Sequence, residues 1–255
     1  MRLSTSSRNT LLLKIAAIAF WLLLWQGLSR WVNSPILLVS PVKTLECLFW
    51  QLSQSIFWRS VGNTTLRILL GFMISAALGI LLAVLAYRVR PVQVLLAPLL
   101  SVMQSVPIAS VIILILLWVP ARSLSVLISA LIGLPIIYSG TLNGLNSTDE
   151  KLIEMAECFH VPFRRQWRHL YFPHLAPFLQ SALGSAIGLS WKSGIAAEVI
   201  GIPAETIGEK LYQAKVYLET PELFSWTVTV ILLSVGCEWG VKRLLKLLNR
   251  VNHDD

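Results

Sequence analysis

Charge is what this sequence has least of. Asp, Glu, Lys and Arg make up 13% of its 255 residues, against roughly 25% in an ordinary soluble domain. With 55% hydrophobic residues and a mean hydropathy of +0.69, the chain is not built to be solvated on all sides. Several apolar runs reach the about 20 residues that a helix needs to cross a bilayer, so it reads as an integral membrane protein. Cysteine is scarce as well. Cys47, Cys158 and Cys237 stand far apart without C-x-x-C spacing, which argues against a disulfide framework and against a zinc site. Neither a G-x-x-x-x-G-K-[ST] phosphate loop nor an H-E-x-x-H pair occurs, so ATP hydrolysis and zinc proteolysis have no visible machinery in this chain. His160, His169, His174 and His253 lie in one loop, at its exit or in the tail. Ser185 thus has no visible base, which argues against an intramembrane serine protease. No catalytic residue, metal site or bound cofactor is expected, and the chain reads as a non-enzyme.

The charge that is present is basic, with a net +8. Lys and Arg are scattered between apolar runs and form no continuous patch, which argues against nucleic acid as a partner and agrees with the cytoplasmic excess of basic residues in membrane proteins. Arg2 and Arg8 precede Leu11–Leu28, but that run is longer than the core of a secretory signal and no A-x-A site follows; it is expected to be a retained first span. Six spans are expected in all, at about residues 11–28, 62–87, 92–119, 123–145, 173–199 and 221–245. With both termini in the cytoplasm, thirteen Lys and Arg fall on the inside and six on the outside, Arg67 and Lys192 lying within spans. That asymmetry supports the orientation. The fold class is therefore all-α, a six-helix transmembrane bundle forming one domain over residues 1–255. Outside, Leu45, Leu48, Phe49 and Leu52 recur at helical spacing in Pro41–Ser53, which predicts a short interfacial helix. Ile207–Leu218 predicts another.

Helices in lipid associate through small residues. Gly71, Ser75, Gly79 and Ala83 recur every fourth position, and Gly184 and Gly188 do likewise. These stripes read either as contact faces or as ordinary membrane-helix composition. Arg67 continues the first stripe and Lys192 the second, so both point toward protein or a cavity. A basic residue at mid-membrane costs about 2.5–3.5 kcal/mol on insertion scales. Arg67 either snorkels to the outer interface or takes a direct role. Lys192, beside Trp191, is a candidate to line a path for an anionic solute. The span at 92–119 is interrupted by Pro98 and Pro107 with Gln104 between them; it predicts a kink that is either packed or faces a cavity.

Residues 146–172 separate two spans and are polar. Thr148 or Asp149 caps a helix, and Leu152, Met155, Ala156 and Phe159 line one face of it. The helix ends near His160, where positive φ is expected. Pro162 opens a second helix that bears Phe163, Trp167, Leu170 and Tyr171 with Arg164, Arg165 and Arg168 between, and Pro173 ends it. Such a helix–turn–helix either lies on lipid headgroups or docks into a groove of a soluble partner.

Glu154-Met155-Ala156, His160, Leu170 and Phe172-Pro173 resemble the cytoplasmic EAA loop of ATP-binding-cassette importer permeases. Its pattern is Glu-Ala-Ala, three residues, Gly, nine residues, Ile, any residue, Leu-Pro. The spacing is intact, and Met155, His160, Leu170 and Phe172 depart from the pattern. Asn63-Thr64-Thr65-Leu66-Arg67 through Phe72, and Trp191-Lys192 followed by Ala196-Ala197-Glu198-Val199-Ile200-Gly201, are similar to the nitrate/sulfonate/taurine branch, as is Gln213-Ala214 through Tyr217-Leu218. The resemblance implies a homodimer in the inner membrane, surrounded by lipid. A cytoplasmic cassette ATPase dimer hydrolyses the ATP, and an extracytoplasmic solute-binding protein delivers a small solute such as a sulfonate or nitrate. It implies that Glu154, Met155, Ala156, Phe159, His160, Pro162, Arg164 and Pro173 form the ATPase-coupling element. Arg67, Gln104, Trp191 and Lys192 are the candidates for the translocation path. The competing reading is a stand-alone channel or carrier, against which stand the few spans and the absence of an inverted repeat.

Overall fold

The computed structural model describes residues 7–34 and 36–251, so Arg2 and His253 lie outside the described residues. Among the described residues every regular element is helical. The helices are α1 (Ser7–Val32), α2 (Pro41–Leu52), α3 (Ser55–Arg88), α4 (Arg90–Ser105), α5 (Ile108–Leu116), α6 (Ala121–Asn146), α7 (Glu150–Cys158), α8 (Phe163–Gln166), α9 (Phe172–Gly201), α10 (Ile207–Val216) and α11 (Thr220–Val251). A π-helical turn, Trp167–Tyr171, joins α8 to α9. Four helices are long and apolar enough to cross a membrane, namely α1, α3, α6 and α11, and α4 with α5 makes a fifth if the bent pair counts as one span. The stretch predicted as the fifth span is α9, which is not among them and whose 30 residues include Gln180, Lys192 and Glu198.

The stretch predicted as one kinked span over 92–119 is instead two helices whose axes differ by 101°. Pro98 sits inside α4 without ending it. The break comes at Val106-Pro107. Pro107 has no N–H to donate and disfavours helical dihedrals at Val106, which is extended at φ −75° and ψ 134°.

The described residues pack as two compact units, one within 1–58 and 210–229 and one within 59–209 and 230–255. In the first, Trp25 Nε1 donates to the Val39 carbonyl at 2.9 Å and Ser29 Oγ to that of Leu38 at 3.0 Å. Trp25 stacks on Phe224 and Phe57 on Trp226. Ser225 Oγ donates to Gln51 Oε1 at 2.6 Å, and Thr220 Oγ1 to the Ile36 carbonyl at 2.7 Å. The predicted interfacial helix is α2, capped by Ser40, with Leu48 buried and Leu45 and Phe49 exposed. Burial and the nearby Glu222 carboxylate raise the pKa of the Cys47 thiol, which keeps it protonated and inert.

The second unit is organised on α6 and α9. Ser129 Oγ donates to the Ser190 carbonyl and Ser190 Oγ to the Ser129 carbonyl, both at 3.1 Å and fully buried. The small-residue stripe of α3 packs on α6. A Cβ on Gly71 would strike the Val126 carbonyl and the Ser129 side chain, and one on Gly79 would crowd Ile137. The second stripe faces α11, Gly184 lying against Lys242 and Gly188 near Glu238, which are themselves paired. Helix α4 covers Ala83, Ala86, Tyr138 and Leu142 through Leu100, and α5 covers Leu124, Ile128 and Ala197 through Ile112.

Gly71→Leu is expected to lower stability by about 1–3 kcal/mol, the usual cost of overpacking a close contact. Gly62→Leu, where a Cβ meets nothing within 4 Å, should not. Thermal unfolding of the two variants in the same detergent checks the difference.

Candidate functional site

The hairpin at residues 149–171 is built by its caps. Asp149 Oδ1 accepts from the Lys151 N–H at 2.9 Å and starts α7. At the other end the Val161 N–H reaches the Ala156 carbonyl at 2.9 Å and the His160 N–H that of Glu157 at 3.0 Å, with His160 at φ 49°. This is a Schellman closure with histidine in the left-handed position where glycine is commonest. The His160 ring lies 3.2 Å from the Cys158 carbonyl through Nδ1. Pro162 precedes α8 as its cap residue at φ −61° and ψ 140°, and Gln166 Nε2 donates back to the Val161 carbonyl at 2.9 Å.

Pro173 does not end the second helix as predicted. From Phe163 the chain stays helical through the π turn into α9 and on to Gly201. The Phe172 N–H bonds the Trp167 carbonyl five residues back. This widened turn makes room just ahead of Pro173, whose ring would otherwise crowd the carbonyl four residues before it. Phe163, Trp167 and Tyr171 form a ladder along this run, with ring centroids 6.4 and 6.0 Å apart. Tyr171 meets Tyr87 edge-on at 6.2 Å, and the Arg88 guanidinium lies over Phe163 at 5.0 Å. The last residues of α3 thereby pin the hairpin. On α7 only Ala156 of the apolar stripe is buried; Leu152, Met155 and Phe159 are exposed, Phe159 at 77%. Glu154 and Arg164 are exposed beside them.

The four candidate path residues differ in how far the chain covers them. Gln104 on α4 and Lys192 on α9 lie on the exposed surface of the single chain, while Trp191 is wholly buried. Arg67 is half-buried on α3, and its Nη1 is buried without a hydrogen-bond partner.

Sequence reasoning missed a buried polar knot at the end of α9. Glu198 has no accessible surface. Its Oε2 accepts from Thr64 Oγ1 at 2.7 Å and from the Gly208 N–H at 3.4 Å, and Thr64 Oγ1 accepts in turn from the Ile207 N–H at 3.0 Å. Gly208 is required there, because any Cβ would collide with Glu198. The knot tethers residues 202–206, where Ile202 and Glu205 both hold positive φ, at 48° and 57°, a costly conformation for a β-branched side chain above all. Asn63 Nδ2 donates to the Glu205 carbonyl at 3.0 Å and Thr206 Oγ1 to that of Pro203 at 2.8 Å. The one acidic residue of α9 was the available signal.

Thr64→Val keeps the shape and removes both bonds of the hydroxyl. Leaving buried polar groups unsatisfied costs about 1–3 kcal/mol each. The expected outcome is a lower unfolding temperature and faster proteolysis within 202–206, measured on the purified protein.

Comparison with known proteins gives a consistent picture. Residues 75–250 match the family model described as binding-protein-dependent transport system inner membrane component. The protein named for aliphatic sulfonates transport, SsuC of Bacillus subtilis, is 28% identical over 218 residues, covering 84% of this chain and 77% of its own. The bicarbonate transport system permease CmpB of Synechococcus elongatus is 25% identical, covering 74% and 72%. The formylaminopyrimidine transport permease ThiX of Halalkalibacterium halodurans is 25% identical, covering 89% and 90%. Among solved structures, an amino acid ABC transporter crystallised with histidines matches in fold with a TM-score of 0.56 at 17% identity, over 76% of this chain and 92% of that one.

Proposed function

The chain belongs to the family of binding-protein-dependent transport system inner-membrane components, and from that premise we propose that two copies of it form the path by which a small anion is imported. Membership makes it a membrane-embedded permease of an ATP-binding-cassette importer and not an enzyme. It implies ATPase subunits and a solute-binding protein as partners.

The proposed permease domain is the whole chain, residues 1–255, with six crossings: α1, α3, the bent α4–α5 pair, α6, α9 and α11. Helix α9 is the one that needs argument. Its 30 residues span about 45 Å at 1.5 Å each, more than the roughly 30 Å of hydrocarbon. Of its polar groups, Ser190 and Glu198 are completely covered by α6 and α3, while Lys192 stays exposed on the single chain, where the second copy is proposed to face it. Six crossings put both termini on the cytoplasmic side of the inner membrane, in agreement with the excess of Lys and Arg there. The same topology puts the hairpin of α7 and α8 in the cytoplasm and the loop 202–206 outside.

The observation that carries the reading is the hairpin's apolar face, Leu152, Met155 and Phe159, left uncovered beside Glu154. An amphipathic helix presenting such a face fits a groove in a soluble partner, here the cassette ATPase dimer. His160, Pro162, Arg164 and Pro173 shape and flank this coupling element. The continuous run from Phe163 into α9 gives a rigid link from the docked hairpin to the bundle. Lys192 and Gln104, exposed on the single chain, line the path between the two copies; Trp191 packs behind Lys192, and Arg67 lies toward the outer mouth. The remaining apolar surface faces lipid. A sulfonate or a similar small anion is the proposed solute, in keeping with Lys192 and Arg67 and with the names of the sulfonate and bicarbonate relatives.

Phe159→Asp and Glu154→Lys are each expected to weaken ATPase association by about tenfold or more, as loss of a central anchor does, with insertion unchanged. Undiminished association in a pull-down from membranes would contradict the docking model. Lys192→Ala should impair solute uptake without lowering the amount of protein in the membrane; intact uptake would remove Lys192 from the path.

A further inference from the structure

Where α3 and α6 begin and α9 ends, a cavity of about 510 Å³ opens, a size typical of small-molecule sites. Asn63 and Arg67 of α3 form one wall, Ala121 and Arg122 of α6 a second, and residues 202–205 the third. Three observations give it a preference for negative charge. First, two guanidiniums line it against the single carboxylate of Glu205, so its lining carries a net positive charge. Second, Arg67 lines the cavity with a guanidinium whose inaccessible Nη1, turned away from the opening, makes no hydrogen bond. Third, α6, 26 residues long, starts here after Pro120 with no side-chain cap; the Ser123 N–H is taken by the Pro120 carbonyl at 3.0 Å, which leaves those of Ala121 and Arg122 and the positive end of the helix for an anion. Glu198 interacts electrostatically with Arg67, and its Oε1 is likewise buried without a hydrogen-bond partner, so it shares the Arg67 charge from the side away from the cavity. One oxygen is engaged by Thr64 and the Gly208 N–H, and no accessible surface of Glu198 reaches the cavity.

The third wall is held rigidly. Asn63 ties the Glu205 carbonyl, the Glu205 N–H donates to Glu209 Oε2 at 2.7 Å, and Ile202 and Glu205 are fixed at positive φ. A cavity whose wall keeps two strained residues is preorganised rather than a gap between loose segments.

We propose that this cavity is a binding site for a small oxyanion of the sulfonate class, whose oxygens are held between Arg67 and Arg122 at the start of α6. The site rests on the permease reading, in which it becomes the outer receiving site for the solute before the path opens. Arg122 then selects on charge at the rim, and Arg67 takes the anion at the base of the cavity.

The test is equilibrium binding of radiolabelled methanesulfonate to the full-length chain in nanodiscs of neutral lipid. Saturable binding is expected, weakened about tenfold or more by Arg67→Gln and by Arg122→Gln, since each removes a charge-assisted hydrogen bond. Arg67→Lys should bind better than Arg67→Gln. Dimethyl sulfone, the neutral analogue of the same shape, should not compete. Absence of saturable binding, wild-type affinity in both glutamine variants, or competition by dimethyl sulfone would each overturn the proposal. Arg122 is exposed, so Arg122→Gln decides the matter even if Arg67→Gln fails to fold. Copurification with a cassette ATPase is the separate readout. If the ATPase is retained while the binding result is negative, the cavity fails and the permease reading stands; if wild-type chain retains no ATPase, the permease reading fails.

Discussion

The reciprocal bonds between Ser129 and Ser190 are the constraint on which the rest of the larger unit depends. Each hydroxyl donates to the other residue's carbonyl, so α6 and α9 are joined side chain to backbone in both directions at a fully buried point. Lipid supplies little drive for helices to associate, so close approach has to come from small residues and interhelical hydrogen bonds. Both occur here together. The seam has Gly133 facing Ser75 and Ser190, Gly194 facing Ile68 and Ser129, and Gly144 facing Leu175. Helix α3 enters the same knot through Ile68 and Ser75. With three helices locked at this level, α9 can carry an acidic residue near its end without exposing it to hydrocarbon.

Helix α9 ties the two candidate sites together. Toward its start it is continuous through the π turn with α8, and the aromatic ladder fastens that run to Tyr87 and Arg88 of α3. Toward its end Glu198 holds Thr64 of α3 and the backbone of Gly208. The same pair of helices is therefore clamped at both ends, by aromatic and cation–π contacts at one and by a buried carboxylate at the other. In the proposed transport cycle this is what lets a displacement of the docked hairpin reach the outer loop. A flexible joint at Pro173 would absorb such a displacement, and the unbroken helix does not provide one.

Much of this was legible in the sequence because it depends on local patterns. The helix that begins after Asp149, the left-handed turn at His160 and the short helices at 41–52 and 207–216 follow from capping and spacing. So does the small-residue face of α3. Four features were hidden because they depend on what surrounds a residue. Pro173 was misread as a stop, since nothing in a string of residues announces a π turn that makes room for the ring. The prolines of 92–119 signalled a kink, but the 101° bend reflects where α5 finds its packing against α6 and α9. Trp191, adjacent to the exposed Lys192, points the opposite way into the subunit. The role of Glu198 is set by Thr64, 134 positions away, and no periodicity connects them.

The most direct test of the central claim is to purify the chain from native membranes in mild detergent and identify what comes with it. A chain that acts as the permease of an ATP-driven importer should bring a cassette ATPase in stoichiometric amount, and a solute-binding protein should stimulate ATP hydrolysis by that complex. A chain that purifies without an ATPase and conducts ions when placed alone in a planar bilayer would contradict the account and point to a channel instead.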